Sequence, residues 1–165
     1  MKKHKYEPSI LSNKDLIIKY HYFSNITEIS YYKLKVMLES NESFILFIGG
    51  YWCPNCLAIM KALSETLVEK NKTIYLFNPR LGYNNKAKCD IRKAIDKDSE
   101  TKLKFISSHM ELDIPMNINN TYSFSVPFIT KFENGKAVNY YSEEYPLIHS
   151  DEDEKKIKEE IFRFI

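Results

Sequence analysis

Two cysteines separated by two residues are the part of this sequence best suited to chemistry. The motif is Cys53-Pro54-Asn55-Cys56, and the chain contains one further cysteine, Cys89. Sulfurs three residues apart cannot join distant parts of a fold, and three cysteines do not make a disulfide framework. The spacing suits either a redox-active pair or half of a metal site.

The position of the motif favours redox chemistry. It follows an apolar stretch at 43–49 that predicts a buried strand, and it begins an amphipathic helix. The apolar positions of that helix are Cys56, Met60, Leu63 and Leu67. Unpaired N–H groups and the helix dipole stabilise a thiolate at this end of a helix, where Pro54 also fits. We therefore predict that Cys53 attacks a substrate disulfide and that Cys56, the more buried sulfur, resolves the mixed disulfide.

A structural disulfide or a zinc site is the competing interpretation of the two cysteines. Zinc in proteins usually has four ligands, so a Cys-x-x-Cys pair normally needs a second, closely spaced pair of Cys or His residues. The remaining candidates are Cys89, His4, His21, His109 and His149. The histidines share no spacing, so we expect them to be ordinary surface or core residues and expect no metal site. Cys89 is expected to be a small buried hydrophobe, with a resolving or regulatory thiol as the alternative.

Strand and helix patterns alternate along the rest of the chain. Strands are predicted at 15–23, 43–49 and 73–78, and Asn134-Gly135 predicts a hairpin between 128–132 and 137–141. Two helical pieces, near 90–95 and 101–110, precede a polar loop at 117–120. This order predicts one α/β domain over residues 1–165, with a mixed sheet that is parallel in part and has an antiparallel edge.

Two serines are predicted to cap the flanking helices. Ser30 precedes a helix with Leu34, Met37 and Leu38 on one side. Ser150 precedes a helix with acidic residues in its first turn and a stripe made of Ile157, Ile161 and Ile165. The exposed face of this last helix is spaced for the i,i+4 ion pairs Glu152–Lys156 and Glu154–Lys158.

Charge and hydropathy exclude several classes of partner. The formal net charge is +2, from 24 basic and 22 acidic residues, which produces no strong field for nucleic acid or anionic lipid. Arginine, the usual residue for base and phosphate recognition, occurs only as Arg80, Arg92 and Arg163. No apolar run suits a membrane span or a signal peptide, so a cytoplasmic protein is expected. A signal peptide cleaved from a precursor would leave the same sequence outside the cytoplasm.

Two segments carry a resemblance to the thioredoxin superfamily. They are Trp52-Cys53-Pro54-Asn55-Cys56 and the run from Val126-Pro127-Phe128 to Asn134-Gly135. Together with the order of elements, the resemblance covers most of the chain. It implies the thioredoxin fold, with a cis peptide bond at Pro127 facing the cysteines and a substrate-pairing edge at Val126. It also implies that Trp52, Pro54 and Asn55 belong to the substrate-facing surface.

The sequence departs from the thioredoxin pattern in three places. Phe47 stands where thioredoxins carry a buried Asp, which leaves Cys56 without an assigned proton acceptor. The Pro-Asn dipeptide between the cysteines differs from the usual Gly-Pro and has proline first, as in glutaredoxins. The stretch 79–125 is longer than in a minimal thioredoxin, and we expect it to form a helical insertion near the cysteines that shapes substrate choice.

These observations predict a thiol–disulfide oxidoreductase. Its partners are expected to be disulfide- or thiol-containing proteins or small thiols, together with a thiol reductant or reductase. No metal or organic cofactor is implied, and we expect a monomer. The alternative is a redox-inactive thioredoxin-like module for binding or accessory work, since a fold does not imply one function.

Overall fold

The structure, a computed structural model, describes residues 25–80, 91–93, 96–110, 125–142 and 150–165. These residues form an α/β arrangement of one mixed five-stranded sheet and four α-helices. The elements are β1 (Ile26–Ile29), α1 (Tyr31–Leu38), β2 (Phe44–Ile48), α2 (Pro54–Glu69), β3 (Ile74–Phe77), a short 3₁₀ helix (Ile91–Lys93), α3 (Lys97–Ser108), β4 (Phe128–Glu133), β5 (Lys136–Ser142) and α4 (Asp151–Phe164). The predicted strand at 15–23, the loop at 117–120 and Cys89 lie outside the described residues.

The strand order β1-β3-β2-β4-β5 matches the mixed sheet that the sequence predicts. β2 and β1 each pair with β3 in parallel, whereas β4 is antiparallel to both β2 and β5. All five residues of β2 are buried, as expected for a strand covered on both faces. The sequence pattern does not predict β1, because this four-residue edge strand buries only Ile26 fully.

Side-chain caps set the beginnings of the helices. Ser30 Oγ accepts the N–H of Lys33 at 3.2 Å, and Ser150 Oγ accepts that of Asp153 at 3.2 Å, as predicted. The two predicted apolar stripes are buried. α3 begins earlier than predicted, because Asp96 Oδ1 accepts the N–H of Ser99 at 2.7 Å and caps it there. None of the described helices is long and apolar enough to cross a bilayer.

The hairpin turn also forms as predicted. Asn134 has a φ of 51° and Gly135 a φ of 78°, the left-handed conformations that an Asn-Gly turn requires. A Cβ at Gly135 would lie 2.5 Å from the carbonyl oxygen of Ser40. The Gly135 N–H donates to the carbonyl of Glu42 at 2.9 Å, so the turn is tied to the segment that leads into β2.

The ion pairs of α4 differ from the prediction. Glu154 binds Lys61 of α2 at 2.6 Å, and Lys158 binds Glu65 at 3.0 Å and Glu69 at 2.9 Å. Neither predicted pair within α4, Glu152–Lys156 or Glu154–Lys158, is among the ion pairs of the described residues, so this prediction is wrong. α2 lies against α4 and offers Glu154 and Lys158 oppositely charged partners, which a pattern confined to one helix cannot reveal.

Candidate active site

Three segments meet at one edge of the sheet. β2 and β3 are parallel and end together, and β4 is antiparallel and begins there, with Ile48 in register with both Phe77 and Phe128. The N–H of Gly49 donates to the carbonyl of Phe77 at 3.1 Å. The residues that follow β2 and β3 and those that precede β4 are therefore brought together. They include the cysteine motif, 78–80 and 125–127.

Cys53 is the N-cap of α2. Its backbone is extended, with φ −97° and ψ 112°, and its Sγ accepts the N–H of Cys56 at 3.1 Å. Pro54 is the first helical residue, as predicted, and the carbonyl of Cys53 accepts the N–H of Leu57 at 3.1 Å. A sulfur thus fills the position that Ser, Thr, Asp or Asn usually occupies. A thiolate is favoured there because its negative charge meets the positive end of the helix.

The two sulfurs are reduced and differ in burial. Cys53 is 5% exposed and Cys56 is 0% exposed, so Cys56 is the more buried sulfur, as predicted. The hydrogen bond from the Cys56 side chain is the main cause that lowers the pKa of Cys53 to about 7. Backbone N–H groups at the helix start and the charge of Arg92 act in the same direction, against the effect of burial.

Cys56 is shifted the other way. Burial raises the pKa of Cys56 well above its ordinary value, and the adjacent Cys53 sulfur raises it further. The pair therefore holds one sulfur that is about half thiolate near neutral pH and one that stays a thiol. This is the division that thiol–disulfide exchange needs between an attacking and a resolving cysteine.

The segment before β4 lies against Cys53. The bond between Val126 and Pro127 is cis, as the resemblance implies. The carbonyl oxygen of Val126 is 3.9 Å from Cys53 Sγ, although the two residues are far apart in sequence. Both Val126 and Pro127 are buried. Their role in substrate binding stays a prediction.

The Trp52 side chain is held by a hydrogen bond from its indole N–H and by cation–π contacts with two arginines. Its Nε1–H donates to Asn78 Oδ1 at 2.9 Å. The guanidinium carbon of Arg80 lies 3.7 Å from the centre of a Trp52 ring, and that of Arg92 lies 4.9 Å from it. Trp52 is only 6% exposed, so its indole is covered in this structure rather than open to substrate.

The other two predicted surface residues are more accessible. Pro54 is exposed and Asn55 is half-buried, both in the first turn of α2. They lie between the two cysteines, so a partner that reaches Cys53 from the helix start would meet them. Their contact with substrate, like that of Trp52, stays a prediction.

A glycine and a phenylalanine shape the surroundings of Cys56. A Cβ at Gly49 would lie 2.8 Å from Cys56 Sγ and 2.7 Å from the Phe47 ring, so only glycine allows this approach. Phe47 is fully buried. An apolar ring therefore stands at the position where the resemblance would place a carboxylate, and the proton acceptor of Cys56 stays unassigned.

Sequence reasoning missed three residues of this site: Asn78, Arg80 and Arg92. Asn78 and Arg80 follow β3, and neighbouring parallel strands end at the same edge of a sheet, so that rule could have placed both beside the motif. Arg92 has no such pattern, because its position depends on how the 3₁₀ helix packs.

Comparisons with known proteins do not add to this geometry. No protein-family model matches the chain, and no curated protein matches it. Within the described ranges, no three or more His, Cys, Asp or Glu side chains are grouped so that they could hold a metal ion. The functional assignment therefore rests on the site itself.

Proposed function

We propose that this protein is a thiol–disulfide oxidoreductase of the thioredoxin fold that acts through Cys53 and Cys56. One observation carries the proposal: Cys53 Sγ caps α2 and accepts the N–H of Cys56 at 3.1 Å, while the Cys56 side chain in the same turn is fully buried. The pKa of Cys53 is lowered to about 7, chiefly by the hydrogen bond from the Cys56 side chain. The pKa of Cys56 is raised, chiefly by burial.

In the reducing direction, the reaction has two exchange steps. The Cys53 thiolate attacks one sulfur of a substrate disulfide, which forms a mixed disulfide and releases the other substrate sulfur as a thiolate. Cys56 then loses its proton and attacks Cys53 Sγ, so that the Cys53–Cys56 disulfide forms and the second substrate sulfur leaves. Two electrons pass from the protein to the substrate, and the two released thiolates take up two protons.

The protein must be returned to its starting state by another thiol partner. A thiol reductant or reductase would reduce the Cys53–Cys56 disulfide by the same two steps in reverse. The expected substrates are proteins or small molecules that carry a disulfide or a thiol. The proposed reaction needs neither a metal nor an organic cofactor.

The remaining site residues would position the substrate. Val126 would offer its backbone to an extended substrate segment next to Cys53, since its carbonyl oxygen is 3.9 Å from the sulfur. Pro54 and Asn55 would contact the substrate from the helix side. Pro127 and Trp52 would form the wall behind them, because both are buried.

One observation favours the alternative, a redox-inactive binding or accessory module. Cys53 is only 5% exposed, which leaves a substrate little access to the attacking sulfur. If the site does not open, the same surface would bind a partner without exchanging a disulfide. The two functions are separated by a measurement of redox equilibrium.

The equilibrium reduction potential of the Cys53–Cys56 pair tests the proposal. We expect a reversible two-electron couple in glutathione or dithiothreitol buffers, and none in Cys53→Ser, which keeps Cys56 and Cys89 as background thiols. A value of about −270 mV would match a reductase and the expected cytoplasmic location, and about −120 mV would match an oxidant outside the cytoplasm. The absence of a reversible couple would contradict the proposal and support the binding module.

A further inference from the structure

Two of the three arginines in this chain meet at Trp52. The guanidinium carbons of Arg80 and Arg92 lie 3.7 Å and 4.9 Å from the centre of a Trp52 ring, whereas Arg163 belongs to α4. The basic residues are otherwise lysines. Arginine differs from lysine in that its planar guanidinium can stack on an aromatic ring and bind a carboxylate through two parallel hydrogen bonds. We call Arg80, Trp52 and Arg92 the arginine–tryptophan cluster.

Hydrogen bonds anchor the two segments that carry the cluster. Asn78 Oδ1 accepts both the indole N–H of Trp52 and the backbone N–H of Arg80, at 2.9 Å and 3.0 Å. The N–H of Ile91 donates to the carbonyl of Pro79 at 3.0 Å, which fixes the 3₁₀ helix beside Arg80. The backbone segments that carry Arg80 and Arg92 are therefore held next to each other.

The cluster contains the residue that precedes the attacking cysteine. Trp52 precedes Cys53 in sequence, and both arginines are half-buried, so each keeps part of its surface in contact with solvent. The charge of Arg92 contributes to lowering the pKa of Cys53, after the hydrogen bond from Cys56, and it also acts on Cys56. The charge of Arg92 therefore acts on both sulfurs of the pair.

We propose that the arginine–tryptophan cluster selects substrates whose disulfide is flanked by carboxylates, that is, acidic polypeptide segments. This inference rests on the proposed function and names its substrate class. Carboxylates beside the substrate cystine would enter the field of Arg80 and Arg92, which raises the rate of productive encounter and holds the acidic side chains. The formal net charge of the chain is only +2, so the selection is local.

The arginines take no part in the exchange of electrons. The Cys53 thiolate forms a bond to one peptide sulfur while the peptide disulfide breaks, and Cys56 then closes the protein disulfide and releases the second peptide thiolate. The reduced protein supplies both electrons, so a single turnover needs no further reductant. Arg80 and Arg92 act as substrate-binding residues whose effect depends on the charge of the substrate.

The test uses three disulfide peptides that differ only in the residues flanking the cystine: Glu, Gln or Lys. Single-turnover rate constants of the reduced protein are measured at low ionic strength, at a pH well above the pKa of Cys53, so that the thiolate fraction is equal in all variants. We expect the Glu peptide to react about tenfold faster than the Lys peptide. Added salt should reduce this ratio towards one, because it screens the charges.

Matched variants assign the preference to the cluster. The double change Arg80→Gln with Arg92→Gln should reduce the Glu-to-Lys ratio several-fold, whereas Arg163→Gln, in α4, should leave it unchanged. Arg80→Lys with Arg92→Lys keeps both charges and should retain most of the preference. Fluorescence of Trp52, the single tryptophan of the chain, reports whether each variant keeps the indole packed.

Three results would overturn the inference. They are equal rates for the three peptides in the unmodified protein, a ratio that survives in the double Gln variant, and a ratio that does not respond to salt. The salt series keeps the test decisive if the double Gln variant does not fold. If the protein exchanged disulfides with none of the peptides in either direction, with oxidised protein tested against the dithiol peptides as well, the proposed function would be removed together with this inference. Equal rates for all three peptides would remove this inference alone.

Discussion

Cys53 and Cys56 share one helical turn and yet meet opposite physical conditions. Cys53 Sγ receives the N–H of Cys56 at the start of the helix, where the helix dipole also favours negative charge. Cys56 is fully buried near the Phe47 ring, where no water solvates a charge. The difference in reactivity therefore comes from position along the helix, since the two side chains are chemically identical.

The side chain of Cys56 should control the pKa of Cys53. Cys56→Ala removes the S–H donor that contributes most to the lowered pKa, while the backbone N–H remains. We expect the pKa of Cys53 to rise from about 7 towards the ordinary value of about 8.5, so that less thiolate is present at neutral pH and alkylation there is slower. Ultraviolet thiolate absorbance against pH measures this shift.

The matched variant is Cys56→Ser, whose hydroxyl can still donate to Cys53 Sγ. It should keep the pKa of Cys53 closer to that of the unmodified protein than Cys56→Ala does. Cys53→Ser supplies the background from the remaining thiols. Identical titration curves for Cys56→Ala and Cys56→Ser would show that the side-chain hydrogen bond does not set the pKa.

Helix α2 carries both the reactive turn and two unsatisfied hydroxyls. Ser64 and Thr66 are buried, and among the described residues their hydroxyl oxygens have no hydrogen-bond partner. A buried hydroxyl without a partner loses its bonds to water and gains none in the fold. Residues of the same helix therefore differ in their effect: the apolar ones stabilise its packing, and these two weaken it.

Replacing Thr66 by valine should stabilise the protein. The change keeps the shape of the side chain and removes the unsatisfied hydroxyl, so we expect the free energy of unfolding to rise by about 1 kcal/mol. Urea denaturation of the reduced protein measures it. The control is Thr101→Val in α3, where the exposed hydroxyl donates to the Lys97 carbonyl at 2.8 Å, and no stabilisation is expected there. A decrease for Thr66→Val would mean that its hydroxyl is satisfied in solution.

The packing of α4 against α2 joins the end of the chain to the helix that carries the cysteines. Ile157 and Ile161 are buried. Around them, exposed ion pairs connect Lys158 to Glu65 and Glu69. Burial of one isoleucine contributes about 1.5–3 kcal/mol, whereas an exposed ion pair contributes about 0–1 kcal/mol. The apolar stripe should therefore dominate the stability of this contact.

Two substitutions on α4 separate these contributions. Ile161→Ala should lower the free energy of unfolding by about 2–5 kcal/mol, because it removes a fully buried side chain and leaves a cavity. Lys158→Ala should lower it by less than about 1 kcal/mol, and this smaller effect should fade as salt is added. Urea denaturation at two salt concentrations distinguishes them. A larger loss in the free energy of unfolding for Lys158→Ala than for Ile161→Ala would mean that the ion pairs, and not the apolar stripe, dominate the stability of this contact.

Much of the fold follows from local patterns in the sequence. The serine caps, the buried stripes, the Asn-Gly turn and the alternation of strands and helices are all confirmed in the described residues. Two predictions failed for local reasons. α3 begins at Lys97, after the Asp96 cap, rather than near 101, and β1 is too short to show a periodic pattern. Caps and periodicities could be predicted because each depends on residues within one or two turns.

The candidate site divides in the same way. The sequence by itself determined that the motif lies at the start of α2 and that Cys56 faces its buried side, since the change from strand to helix pattern and the apolar spacing of the helix are local. Only the structure showed that Cys53 Sγ caps the helix. Only the tertiary structure decided that Arg80 and Arg92 reach Trp52 and that Lys158 binds α2. Those contacts join residues far apart in the chain, and they depend on strand register and on how the helices pack. No pattern within one element encodes that choice of partner.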